Sequence, residues 1–256
     1  MKISVELAIA AAADADAVWR ALTEGEELKR WFPLDARVTP GEGGAVWLSW
    51  GEGADWEAPI EIWEPGRHLR TVDPPPGRLA VDYFIEARGG ETVLRIVHSG
   101  FGADAWDDEI ETMTNGWRAF LVTLRQYLER HPGEPRTLAY FRHPVVPLER
   151  AEAWRRMLTA FGLPLDAAAG DRYSATAQSG DRFEGVIEVC APPGNFTATV
   201  ENMSDAVLMI EIEPGRGRCR PAVWISLYGD AGAGAAGLQG RIGDLVARAF
   251  PASSFS

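Results

Sequence analysis

The residue of this sequence whose type and position best suit chemistry is His98. It belongs to a strand-like segment, residues 92–98, in which Leu94, Ile96 and His98 share one face because side chains alternate along a strand. A histidine on an apolar face can serve as an acid, a base or a hydrogen-bonding group for a ligand, or it can be a core residue that hydrogen-bonds near the following turn. Tyr83, on the apolar face of the preceding segment, is the second candidate polar group.

Aromatic residues of the first half could surround these two groups. Ligand pockets are typically apolar with a few polar groups, although the same aromatic side chains can also fill a solid core. Together with Leu94, Ile96 and His98, the predicted ligand-binding residues are Trp50, Trp56, Tyr83, Trp117 and Phe120.

Other chemistries have no support in the sequence. His68, His131 and His143 have no metal-ligand spacing, and there is no HExxH motif, GxSxG motif or P-loop. The acidic stretch from Asp104 to Glu111 matches no calcium loop, so it is interpreted as a solvated loop or helical turn. We therefore predict no catalytic residue, no metal and no cofactor.

A GxGxxG motif is present at residues 232–237, between a predicted strand and a predicted helix. A dinucleotide site also requires a further strand with an acidic residue about twenty positions on. The sequence ends within that distance, so a flexible Gly/Ala linker is the interpretation.

Composition and charge exclude several classes of protein. The formal net charge of -12 argues against nucleic acid as a partner, because an acidic protein repels phosphate. The two cysteines, Cys190 and Cys219, form no CxxC motif and fit a reducing cytoplasm. Glu6 interrupts the apolar amino-terminal stretch, which favours a strand over a signal peptide. No run is long and apolar enough to span a membrane.

A long amphipathic helix must position the candidate residues of the first half. Between Asn115 and Glu129, an apolar stripe recurs at helical spacing, with Trp117 and Phe120 on it. Asn115 is the predicted N-cap, and His131 to Gly133 is predicted to end the helix.

Short strand-like runs separated by turn signals precede this helix and predict an antiparallel meander. Asp14 is predicted to cap a helix that breaks near Gly25 into two short ones. Asp82 and Glu86 alternate with apolar residues, so their face should contact water. The predicted strands are residues 3–9, 36–38, 45–50, 56–63, 68–72, 79–86 and 92–98.

The pattern then repeats after a linker at His131 to Pro135. Trp154 in a predicted helix corresponds to Trp19, and Ile187 before a turn corresponds to Ile60. We interpret the chain as an internal repeat of about 125 residues. The predicted domains are residues 1–133 and a shortened copy at residues 137–256.

The order of strand, helix pair, meander and long helix resembles the helix-grip fold of the SRPBCC (START-like) superfamily. The first half is similar to homologues of the activator of heat-shock-protein-90 ATPase, and the second half resembles a diverged SRPBCC-like copy. The fold class expected is α+β, with two tandem domains that each wrap a curved antiparallel sheet around a carboxy-terminal helix. The residues that carry the resemblance are Val18–Leu22, Leu28, Trp31, Phe32, the Pro65-Gly66 turn, Thr92 to Phe101, and Gly116-Trp117.

The resemblance implies a cavity between sheet and helix that holds a small apolar molecule, and this is the predicted function. An alternative is a module that modulates a chaperone or binds another protein. Chaperone-activating relatives carry a separate amino-terminal domain, whereas this sequence begins in the repeat, so this alternative is less favoured. A third alternative is a cyclase-like or hydratase-like enzyme that uses His98 and Tyr83. The fold itself does not select among them.

Overall fold

The computed structural model describes residues 3–51, 53–74, 79–101, 107–215 and 217–251. The chain forms two compact units, Met1–Glu134 and Pro135–Ser256, called here the N-terminal and C-terminal units.

The N-terminal unit is one antiparallel sheet combined with three helices. Its strands lie side by side in the order β1-β7-β6-β5-β4-β3-β2, so the first strand pairs with the last and the remainder form the predicted meander. Its elements are β1 (Ile3–Ala11), α1 (Ala15–Thr23), α2 (Gly25–Leu28), β2 (Asp35–Thr39), β3 (Ala45–Ser49), β4 (Asp55–Glu64), β5 (His68–Val72), β6 (Ala80–Arg88), β7 (Glu91–Phe101) and α3 (Asp107–Arg130).

Local chemistry explains the break between α1 and α2. Asp14 caps α1, as predicted, by accepting a hydrogen bond of 2.6 Å from the backbone N–H of Ala17. At Gly25 an added Cβ would lie 2.7 Å from the carbonyl oxygen of Ala36, so only glycine lets α2 lie this close to β2. The indole N–H of Trp31 donates to the carbonyl oxygen of Ala21 at 2.8 Å and fixes the segment after α2 to the end of α1.

The long helix α3 begins earlier than the sequence indicated. It starts at Asp107, so the prediction of Asn115 as its N-cap is wrong, and Asn115 lies inside the helix. Residues 107–111 of the acidic stretch form its first turns; Asp104 lies outside the described residues. The helix ends at Arg130, as the His131-Pro132-Gly133 sequence predicted.

A hydrogen-bond network ties α2 to the carboxy-terminal end of α3. The Tyr127 hydroxyl donates to the Glu27 carboxylate and accepts from the backbone N–H of Gly133 at 3.2 Å. The Arg30 guanidinium donates to Tyr127 Oη at 3.3 Å and to Glu27 Oε1 at 2.6 Å. Because α2 is only one helical turn, these contacts supply much of what holds it in place.

The C-terminal unit repeats this topology with one strand and one helix fewer. Its sheet order is β8-β13-β12-β11-β10-β9, all antiparallel, and again the first strand pairs with the last. The tandem α+β helix-grip architecture is therefore confirmed. The elements are β8 (Arg136–Arg142), α4 (Arg150–Phe161), β9 (Arg172–Thr176), β10 (Arg182–Ala191), β11 (Asn195–Val200), β12 (Ala206–Gly215), β13 (Arg218–Tyr228) and α5 (Ala235–Ala249), with 3-10 turns at Glu201–Met203 and Gly229–Gly234.

The GxGxxG motif has a structural role in this unit. Residues 229–234 form the second 3-10 turn and α5 begins at Ala235, so the stretch is ordered backbone rather than the linker expected. An added Cβ at Gly232 would lie 2.7 Å from Thr137 Oγ1, which accounts for the glycine by its close approach to β8.

Among the residues described above, no helix combines the length and the apolar character needed to cross a membrane.

Candidate functional site

A small apolar cavity lies in the N-terminal unit between the helix pair and the inner face of the sheet. Its volume is about 10 Å³. This is room for about one water molecule. Strands β3 to β6 form its floor, and α1, α2 and the segment after α2 cover it. The lining residues are Leu22, Leu28, Trp31, Phe32, Val46, Leu48, Trp56, Leu69, Thr71 and Tyr83.

Two hydroxyl groups belong to this otherwise apolar wall. Thr71 is only 2% exposed, and its buried Oγ1 atom has no hydrogen-bond partner among the described residues. Tyr83 is 8% exposed, and burial raises the pKa of its hydroxyl, so the phenol stays protonated. The cavity therefore contains hydrogen-bonding capacity without charge.

Trp56 forms part of the rim of the cavity. It is half-buried, and its indole N–H donates to Asp73 Oδ1 at 2.7 Å, just beyond the end of β5. Its apolar ring lines the interior while its polar edge stays at the surface.

The predicted ligand-binding residues divide into two groups. Trp56 and Tyr83 line the cavity, and their role in binding stays a prediction. The other six lie elsewhere in the N-terminal unit and are absent from the described lining: Trp50, Leu94, Ile96, His98, Trp117 and Phe120. The lining also contains no residue of α3, whereas the resemblance implied a cavity bounded by that long helix.

An aromatic cluster separates α3 from the cavity. The Phe32 ring lies 5.4 Å from the Trp117 ring and 4.6 Å from the Phe120 ring, measured between centroids. Trp50 packs edge-on against Phe32 at 5.5 Å, and Trp117 packs against Tyr83 at 6.0 Å. Phe32 thus fills the space between α3 and the sheet.

His98 is held in the core by Trp117. The indole N–H of Trp117 donates to His98 Nδ1 at 3.1 Å, and the His98 ring lies 4.9 Å from the Phe101 ring. Burial lowers the pKa of His98 to about 4, so the imidazole is neutral near pH 7 and Nδ1 serves as an acceptor. His98 is thus a core residue hydrogen-bonded to α3, whereas the structural interpretation expected a bond near the following turn. The geometry does not place His98 and Tyr83 together around the cavity as an acid–base pair.

The opposite face of the sheet holds a charged cluster that corrects another expectation. Asp82 was expected to contact water, but it is only 8% exposed. Its carboxylate pairs with the Arg70 guanidinium and lies 2.8 Å from His68 Nε2, while the His68 ring stacks on Phe84 at 4.3 Å. Long neighbouring side chains on adjacent strands cover the short carboxylate, a burial that alternation along one strand cannot reveal.

Sequence reasoning missed most of the cavity wall. Leu28, Trp31 and Phe32 were recognised as a motif but not as lining, although their position at the end of a glycine-broken helix pair was a usable signal. Thr71 gave no signal, because threonine is ordinary in a strand.

Comparison with known proteins gives a family match within this unit. Residues 12–129 match the family described as "Activator of Hsp90 ATPase homolog 1-like protein". No curated protein matches the sequence significantly.

Several solved structures are similar to parts or most of the chain. The solution structure of the Aha1 dimer from Colwellia psychrerythraea has 18% identity and a TM-score of 0.47, covering 51% of this chain and 99% of its own. CalU16 from Micromonospora echinospora has 23% identity and a TM-score of 0.42, covering 50% of this chain and 76% of its own. DynU16, from the dynemicin biosynthetic locus, has 17% identity and a TM-score of 0.44, covering 96% of both chains.

The similarity to this family rests on the sequence match and not on these distant structural likenesses. That match spans α1 through nearly all of α3. Residues 12–129, which make up most of the N-terminal unit, are therefore similar to the family of activator of Hsp90 ATPase homolog 1-like proteins.

Proposed function

We propose that the N-terminal unit binds a small, largely apolar molecule in the cavity beneath α1 and α2. The observation that carries this proposal is the wall itself, which is apolar except for the hydroxyls of Thr71 and Tyr83. Apolar surroundings with a few polar groups are the usual composition of a ligand pocket.

Binding requires the cavity to widen, because a space of about 10 Å³ does not admit a ring-sized molecule. Trp56 is the lining side chain best placed to move, since it is half-buried at the rim with one hydrogen bond, to Asp73. Leu28 lies on the one-turn helix α2, which has little stability of its own. Movement of the rim and of α2 would enlarge the space without disturbing the sheet.

A thermal-shift experiment with 2-methylnaphthalene tests this proposal. The ligand should raise the melting temperature of the wild-type protein. Leu48→Phe places additional carbon atoms in the cavity and should abolish the shift, whereas Leu34→Phe, at a residue that is 38% exposed, should retain it. No shift in the wild-type protein, or an equal shift in Leu48→Phe, would contradict the proposal.

Modulation of a chaperone ATPase is a second candidate function, supported by the family match over residues 12–129. The purified protein would then change the ATP hydrolysis rate of an Hsp90-type chaperone in proportion to its concentration. An unchanged rate at saturating protein would rule this candidate out.

A further inference from the structure

We propose that the molecule bound in this cavity is a neutral aromatic alcohol or phenol, whose single hydroxyl group bonds to Thr71 and Tyr83. This inference rests on the proposed function, and it specifies the class of ligand and the residues that select it.

The orphaned hydroxyl of Thr71 is the first observation. Buried polar groups almost always have a hydrogen-bond partner, since an unmade bond in an apolar environment is destabilising. Thr71 Oγ1 has no partner, yet it belongs to the wall of a cavity that has space beside it. A polar atom of a bound molecule would supply the missing bond.

The register of the sheet places the two hydroxyl-bearing residues on neighbouring strands. Thr71 pairs with Val81 and Leu69 pairs with Tyr83, so Thr71 and Tyr83 occupy diagonal positions on neighbouring strands β5 and β6. Diagonal side chains on one face lie within reach of a common small group. Each hydroxyl can both donate and accept, so one ligand hydroxyl can bond to both.

The charge of the wall selects a neutral ligand. None of the described lining residues carries a charge, and burial raises the pKa of Tyr83, which keeps the phenol uncharged. A carboxylate placed here would lose its hydration without gaining a cation, which is strongly unfavourable.

The aromatic side chains that line the cavity favour a flat, aromatic ligand. Trp31 and Phe32 cover the cavity from above, while Trp56 and Tyr83 border it from the sheet. Aromatic rings pack favourably against one another in offset or edge-to-face arrangements. A planar molecule with one polar end matches this distribution of surfaces.

Three probes of nearly equal shape test the inference: 2-naphthol, 2-methylnaphthalene and 2-naphthoate. Their affinities for the whole protein would be measured by calorimetric or NMR titration at pH 7. We expect 2-naphthol to bind about 3- to 10-fold more tightly than 2-methylnaphthalene, because one or two net hydrogen bonds increase affinity by about that factor. We expect 2-naphthoate to bind most weakly.

Thr71→Val is the decisive variant, because it removes the hydroxyl and preserves the shape of the side chain. It should reduce the preference for 2-naphthol while leaving the affinity for 2-methylnaphthalene unchanged or increased. Its melting temperature without ligand should not fall, since Thr71 Oγ1 has no hydrogen-bond partner among the described residues. Tyr83→Phe should independently reduce the preference for 2-naphthol over 2-methylnaphthalene.

The possible failures are distinguishable. Equal affinity for 2-naphthol and 2-methylnaphthalene, tightest binding of 2-naphthoate, or a preference that neither variant alters would overturn this inference and leave the proposed function standing. Failure of all three probes to bind would overturn both.

Discussion

Two buried polar residues of the N-terminal unit differ in whether their hydrogen bonds are made. His98 accepts a bond from the Trp117 indole, so its polarity is satisfied within the protein. Thr71 Oγ1 has no partner among the described residues, so its hydroxyl group can form a hydrogen bond with another molecule. This contrast moves the functional interest from the histidine to the threonine.

The sequence could predict His98 but not Thr71, for a physical reason. Alternation within β7 placed Leu94, Ile96 and His98 on one buried face, and the structure confirms this arrangement. Whether a buried polar atom is satisfied depends on side chains from other elements, such as Trp117 on α3. No periodicity within a single strand contains that information.

The neutral state of His98 predicts a pH dependence of folding. Burial lowers its pKa from 6.5 to about 4, so between these values the unfolded chain binds the proton more readily than the folded chain does. Stability is therefore retained above pH 6.5 and lost as the pH falls toward 4, by up to about 3 kcal/mol.

Urea unfolding as a function of pH measures this effect. His98→Asn retains an acceptor for Trp117 and has no proton to gain, so its free energy of unfolding should fall less steeply than that of the wild-type protein over the same interval. Parallel curves for the two proteins would contradict the assignment of the pH dependence to His98.

At the scale of elements, the candidate site depends on how α2 is held. The Tyr127 hydroxyl joins Glu27, Arg30 and Gly133, and so connects the one-turn helix to the end of α3. Tyr127→Phe leaves the ring in place and removes these bonds. We expect a loss of about 2 kcal/mol in the free energy of unfolding, measured with urea.

The ion pair Arg88–Glu86 supplies the control for this measurement, because both side chains are 62% exposed. Arg88→Ala should leave the unfolding midpoint unchanged, as expected for an exposed pair. If Tyr127→Phe also left it unchanged, the proposed attachment of α2 to α3 would be wrong.

A second prediction at this scale concerns the turn after α4. Gly162 ends that helix with φ of +66°, and a Cβ there would lie 2.4 Å from the carbonyl oxygen of Thr176. Gly180 has φ of +89° with no atom within 4 Å of such a Cβ. Gly162→Ala should therefore cost about 2–4 kcal/mol, against about 1 kcal/mol for Gly180→Ala.

Thermal unfolding of both variants separates steric contact from backbone strain, since the two glycines share the left-handed conformation. Equal destabilisation would show that the approach of Gly162 to β9 is not what requires glycine there.

Element types could be predicted from the sequence more reliably than element ends. Turn residues and alternation identified every strand of the N-terminal unit, and Gly25 identified the break between α1 and α2. The start of α3 was missed because Asn115 and Gly116 suggested a helix boundary, whereas both are accommodated inside the helix. Strand β9 was also missed.

At the scale of the molecule, the repeat of topology is the main result. In each unit the first strand pairs with the last, and a carboxy-terminal helix follows, even though the second unit lacks one strand and one helix. The order of elements could be predicted from the sequence, because hydrophobic periodicity and turn residues are local properties. The position and size of the cavity were not, because they depend on side chains from α1, α2 and four strands.

We propose small-molecule binding for the N-terminal unit, and the wall of its cavity differs from the core of the C-terminal unit. There, Phe161, Phe183 and Phe196 are fully buried in one apolar cluster. We therefore expect a ligand to affect the side chains of the first unit selectively.

The most direct test is a methyl NMR titration of the whole protein with 2-naphthol. The account predicts chemical-shift changes at the methyl groups of the cavity, and none at Leu208, Val223 and Leu245 in the core of the C-terminal unit. Changes confined to the C-terminal unit, or no change at all, would contradict the account. The cavity methyl groups to observe are those of Leu22, Leu28, Val46, Leu48, Leu69 and Thr71.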